Sequence, residues 1–228
     1  MKKLLAALLF TLSTMAIAVD LDDFYITAKG GVSKTLDTGT MNYDNGDVFT
    51  LNDDDLGTGS AFGISAGKYI TDNFRLELEA IKRTGYEMDT TGDNNLYEAN
   101  ISSKSIFING FYDFQSFSLG STPITPYLGG GVGISKNKMG TTYENRPDFS
   151  LDGKTISQFA YKVAAGTLVS LTENVSLDIN YQYVNLGNIK SGVGVYDEAG
   201  TFFGNISPAI NGGEIKTQEL MVGLQYKF

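Results

Sequence analysis

One short stretch, Phe74-Arg75-Leu76-Glu77-Leu78-Glu79-Ala80, carries ionisable groups at alternate positions. In an extended chain alternate side chains share a face, so Arg75, Glu77 and Glu79 stand together. Two neighbouring carboxylates are what a general acid and base pair requires. Arg75 lies on the same face, and Lys29 and Lys162 are available elsewhere, so the same residues also read as an ion-pair set. The chain contains no His and no Cys, which excludes a histidine general base, a Ser-His-Asp triad, histidine-ligated zinc and thiolate zinc. The run Asp53-Asp54-Asp55 lacks the alternating oxygen ligands, central Gly and closing Glu of a calcium loop, and reads as a solvated acidic loop. The glycines from Gly129 to Gly133 are followed by no helix, so they do not cradle phosphate; in a strand they make room for bulky neighbours. No cofactor and no metal are expected, and no enzymatic activity.

The elements that position these residues are strands. From Phe74 the apolar residues Leu76, Leu78 and Ala80 alternate with the charged ones, which means one apolar and one charged face. The last stretch repeats the pattern: Leu220, Val222, Leu224, Tyr226 and Phe228 alternate with Glu219, Met221, Gly223, Gln225 and Lys227. Six more such runs lie near residues 24–33, 60–70, 103–114, 126–136, 155–171 and 175–183. No interior segment approaches the roughly 18 apolar residues of a spanning helix. The start, Met1-Lys2-Lys3 with an apolar run Leu4 to Leu12 and Ala16-Ile17-Ala18, has the three zones of a cleaved secretory signal over 1–18, leaving one domain over 19–228. A formal charge of −9 argues against nucleic acid as a partner.

The links between the eight runs alternate long and short. Residues 34–58, 84–102, 136–154 and 185–214 read as long polar loops, whereas Thr71-Asp72-Asn73 and Thr172-Glu173-Asn174 are tight turns. A soluble sandwich has no reason to place its long loops at one end. An outer-membrane barrel does, with short periplasmic turns and long extracellular loops. The expected fold is all-β: an eight-stranded antiparallel up-and-down transmembrane barrel, about filled by its own side chains. Its lumen then holds the charges Lys29, Arg75, Glu77, Glu79, Asp113, Lys162, Asp178 and Glu219, with Tyr25, Tyr69, Phe107, Phe111 and Tyr127 beside them. Tyr25, Phe74, Tyr112, Phe114, Tyr183, Tyr226 and Phe228, near strand ends, would form interfacial girdles.

Gly67-Lys68-Tyr69-Ile70-Thr71-Asp72-Asn73-Phe74-Arg75-Leu76-Glu77 is similar to the second strand, turn and third strand of the opacity-protein-like, OmpA-type outer-membrane barrels. Asn109 to Phe114, Thr125 to Gly133 and Leu171 to Tyr181 are similar to later strands of that family. Gly223 with Tyr226-Lys227-Phe228 resembles the signal read by the barrel-assembly machinery, with Met221 where a polar residue is usual. The resemblance implies a bacterial outer-membrane location, with outer-membrane lipid and lipopolysaccharide as surroundings. It also implies, through small rickettsial surface adhesins, binding of host surface or serum proteins by the loops. Tyr43, Phe49, Tyr86, Tyr97, Tyr143, Phe149, Tyr196, Phe202 and Phe203 are the candidate contacts. The alternatives are a small porin-like channel and a structural outer-membrane protein. Small barrels of this kind that are enzymes use a His, which this chain lacks.

Overall fold

The ladder closes between the first and last long strands. The structure, a computed structural model, describes residues 23–36, 41–43, 48–51, 56–92, 95–144, 150–197, 199–205 and 209–228. The signal segment 1–18, the Asp53-Asp54-Asp55 run and Phe149 lie outside these residues. Eight long strands make the wall: β1 (Phe24–Thr35), β2 (Thr58–Thr71), β3 (Phe74–Gly92), β4 (Asn95–Asp113), β5 (Thr122–Met139), β6 (Lys154–Ser170), β7 (Val175–Lys190) and β8 (Ile210–Lys227). Each pairs antiparallel with its neighbour in sequence. β1 pairs with β8 from Tyr25↔Lys227 to Thr35↔Thr217, so no edge of the main sheet is left open.

Burial follows the period of two. On β3, Arg75, Glu77, Glu79, Ile81 and Arg83 are buried, while Phe74, Leu76, Leu78, Ala80 and Lys82 are exposed. Outward Ile64, Leu78, Ile108, Val132, Val163 and Leu224 are all more than half exposed, and together with their neighbours they form an apolar belt. Phe74 to Lys82 spans a rise of about 20 Å at ~3.3 Å per residue and a tilt of ~40°, close to the apolar thickness an outer-membrane barrel presents. Phe74, Tyr112, Phe114, Tyr226 and Phe228 ring its lower edge. Tyr25 does not join them: it is fully buried and points into the lumen, because its position carries the inward parity of β1.

Two of the three turns at this end of the barrel use one device. The Thr71 hydroxyl accepts from the Asn73 and Phe74 amides, and Asn73 Nδ2 donates to the Asp113 carbonyl on β4 at 2.9 Å. The Thr172 hydroxyl accepts from the Asn174 and Val175 amides, and Asn174 Nδ2 donates to the Lys227 carbonyl on β8 at 2.8 Å. In each, Thr closes its own turn and Asn clips the adjacent strand.

At the other end the loops differ from the expectation. Residues 84–102 are not a loop: β3 and β4 continue as one hairpin, paired from Tyr86↔Ile101 to Gly92↔Asn95 after a register shift at Arg83/Tyr86. The polar composition misled because this part of the wall lies beyond lipid, where its outer face is solvated. β5 runs on to Met139, β7 to Lys190, and β8 begins at Ile210. Short strands Met41–Tyr43 and Val48–Leu51 bridge β8 to β3, and Thr142–Glu144, Ser150–Leu151, Gly194–Tyr196 and Phe202–Asn205 continue outward from β4. The loops thus extend the wall as a second tier of strands.

Leu78, 58% exposed in the middle of the belt, tests its orientation. Leu78→Arg should cost about 2–4 kcal/mol in urea unfolding from lipid vesicles, the range for a cation at mid-depth on the lipid face. No change in midpoint would mean that this face meets water.

Candidate functional site

Inside the wall, nine buried charged side chains among the described residues line the lumen: Lys29, Arg75, Arg83 and Lys162 against Glu77, Glu79, Asp113, Asp178 and Glu219. The signs balance to within one charge, which is what burial in low dielectric demands. They fall into three levels along the axis. At the periplasmic level Arg75 Nε donates to Asp113 Oδ1 at 3.0 Å, Arg75 Nη1 to the Tyr25 hydroxyl at 3.2 Å, and the Tyr69 hydroxyl to Asp113 Oδ2 at 3.0 Å. The guanidinium carbon lies 4.5 Å from the ring centres of both Phe111 and Tyr127, so aromatic faces solvate the cation. Tyr127 donates to Asp178 at 2.6 Å.

The middle level is built around Glu79, fully buried, which pairs with Lys29 at 2.8 Å on one oxygen and with Lys162 on the other. Asn109 Nδ2 donates to Glu77 at 3.1 Å and to Glu79 at 3.2 Å. β1, β3, β4 and β6 are tied together through one carboxylate pair. Gly166 faces inward opposite, and a Cβ there would stand 2.6 Å from the Tyr127 ring, so only glycine lets that ring lie across the lumen.

The outer level centres on Glu219. Arg83 donates to both its oxygens, Nε at 2.5 Å and Nη2 at 3.1 Å, and Ser33, Gln182 and Thr217 donate at 2.7, 2.6 and 2.9 Å. A bidentate guanidinium with three further donors satisfies a carboxylate fully. Arg83 was missed by sequence reasoning, although continuing the alternation Arg75, Glu77, Glu79, Ile81 by one step places it inward.

Above Glu219 an apolar cluster fills the mouth: Leu56, Tyr86, Met88, Ile101, Met139, Leu186 and Ile189 are all buried. Tyr86, expected as an exposed loop contact, is fully buried and hydrogen-bonded to Ser33 at 2.5 Å. The register shift beside Gly85, with φ of 89°, turns Tyr86 to the inside. β7 shifts register between Asn185 and Asn188, and the Leu186 carbonyl accepts from Ser135 and from Asn137 Nδ2. Polar lumen and apolar plug together leave these side chains almost inaccessible to water, with Arg83 and Glu79 at 0%.

Of the other loop candidates, Tyr143, Phe202 and Phe203 are exposed on the outer tier, at 62%, 55% and 73%. Tyr196 is half-buried, its ring packed edge-on against Phe202 at 5.6 Å. The Asp152 carboxylate, 3.3 Å from the Tyr196 hydroxyl, raises that phenol above its ordinary pKa. Tyr43, Phe49 and Tyr97 belong to tier strands. Gly223 faces the lumen against Lys29, and the Tyr226 and Phe228 rings meet edge-on at 5.2 Å on the outer face.

The sequence profile of the outer membrane protein beta-barrel domain matches residues 4–228. The chain belongs to that family. Among its relatives, outer membrane protein PagN of Salmonella typhimurium is 28% identical, aligned over 91% of this chain and 90% of PagN. A Rickettsia felis protein, named as a candidate adhesin, is 26% identical over 72% of each chain. The crystal structure of OprG from Pseudomonas aeruginosa superimposes with a TM-score of 0.62 at 16% identity, covering 91% of this chain and 97% of OprG, a likeness of fold. The protein is therefore a bacterial outer-membrane barrel, with an even number of strands and both wall termini at the turn end.

Removing one partner of the Arg83–Glu219 pair should be worse than removing both. Arg83→Leu is expected to cost about 3–5 kcal/mol in urea unfolding, because a buried carboxylate is left without its cation. Arg83→Leu combined with Glu219→Leu should recover most of that loss; a double variant no more stable than the single one would show that the pair is incidental.

Proposed function

We propose that the protein is a surface adhesin of the outer membrane that binds a host or environmental protein through its extracellular tier. The observation that carries this reading is the placement of Tyr143, Phe202 and Phe203, large aromatics exposed beyond the lipid-facing belt on strands paired into a rigid wall. Aromatics held on a rigid scaffold bind at low entropic cost and dominate interface energies. A relative whose name describes it as a candidate adhesin supports the same reading. Glu77, Glu79, Asp113 and Glu219 are engaged by cations and Asp178 by the Tyr127 hydroxyl in a dry interior, which favours a structural role for them over catalysis. The paired charges and the apolar plug weigh against a diffusion channel.

Two measurements check this. Host serum and cell-surface proteins should be retained by the refolded barrel and lost, by roughly tenfold or more, in a Tyr143→Ser/Phe202→Ser/Phe203→Ser variant, since two or three aromatic anchors at ~1–2 kcal/mol each carry that much affinity. Equal retention by both would defeat the adhesin reading. In planar bilayers the intact barrel should give no steady single-channel current; a regular conductance would restore the channel.

A further inference from the structure

Lys82, Lys104 and Lys136 form a row on the outer wall. Lys82 is register partner to Lys104, and Lys104 to Lys136, across β3, β4 and β5. All three are exposed, and Lys138 follows on β5 with the same outward parity. Directly opposed like charges destabilise a sheet. Among the described residues none of the three has a carboxylate within ion-pair distance. The strands flanking the row carry Phe62 and Ser157 at this register position, so the three paired lysines occupy one sector of the wall, in a chain whose formal charge is −9.

The row stands at the extracellular border of the belt. The pair row immediately below it is Ile64, Ala80, Ile106, Ile134 and Phe159, wholly apolar. Ala80, short between two isoleucines, leaves an apolar furrow on the outer wall, walled by Phe62, Ile64 and Ile106 and ending at the three lysines. Adjacent strands bring the three Cα atoms within about 10 Å of end to end, and flexible lysine stems let the ammonium groups converge on one group while the methylenes lie along the wall.

We propose that this sector binds a phosphorylated glycolipid of the outer leaflet, its acyl chain in the furrow over Ala80 and its phosphate on Lys82, Lys104 and Lys136. A soluble anion would use the lysines and leave the furrow uncovered; a neutral lipid would fill the furrow and leave three opposed cations uncompensated. A lipid with a multiply charged phosphate meets both surfaces at once. The site is separate from the outer-tier aromatics, so it stands or falls independently of the adhesin reading.

The test is native mass spectrometry of the refolded barrel released from micelles, with bisphosphorylated lipid A or its fully dephosphorylated form as probe. The wild type should retain the phosphorylated lipid, and a Lys82→Gln/Lys104→Gln/Lys136→Gln variant should bind it roughly tenfold or more weakly, because each lysine near an anionic lipid surface adds to the attraction. Lys68→Gln, at the periplasmic border, should change nothing, and neither should the triple serine variant of the outer tier. Heat-modifiable migration on gels reports folding of each variant; if the lysine variant does not fold, the comparison of the two lipids on wild type decides. Equal retention of the phosphorylated lipid by wild type and lysine variant, equal retention of both lipids by wild type, or displacement by inorganic phosphate alone would overturn the proposal.

Discussion

Everything in this molecule depends on the ladder between β1 and β8. Lipid offers no hydrogen bonds, so a spanning strand must find a partner on both sides. The eleven register pairs from Tyr25↔Lys227 to Thr35↔Thr217 supply the last of these partners. Closure at eight strands then sets the bore, which is too narrow for anything but side chains. What the inward positions carry must therefore be mutually compatible in a dry space.

The three luminal levels meet that requirement in different ways. Arg75 pairs with Asp113, approaches Glu77 at 4.0 Å and is flanked by the faces of Phe111 and Tyr127. Glu79 is shared by two lysines. Glu219 collects a guanidinium and three neutral donors. Each charge contacts strands that are distant in sequence, so the ion pairs act as struts across the bore. The same networks leave the barrel stiff, and the apolar plug around Tyr86 and Leu186 caps it where lipid no longer defines an outer face.

Outside, the wall changes character along its height. Aromatics border the belt on the turn end, lysines border one sector on the other, and above them the loop strands keep pairing. A binding surface carried on such strands is held by backbone hydrogen bonds, which is a stronger constraint than that on a free loop. The polarity of residues 84–102 marks where lipid ends, and it coincides with the middle of β3 and β4.

The sequence by itself determined the fold class, the alternating faces of the lipid-spanning strand segments and the two Thr-x-Asn turns, because a period of two and local side-chain caps are written in neighbouring residues. It placed Arg75, Glu77 and Glu79 on one face for the same reason. Only the tertiary structure decided which charges meet. Arg83 and Glu219 are 136 residues apart, and their contact exists through the cross-lumen geometry that closure creates. The inward turn of Tyr86 follows from a register shift at a positive-φ glycine, which composition does not announce. The lysine row is likewise invisible along the chain: Lys82, Lys104 and Lys136 become neighbours only when the registers of β3, β4 and β5 are set, and register is a property of pairing, not of any one strand.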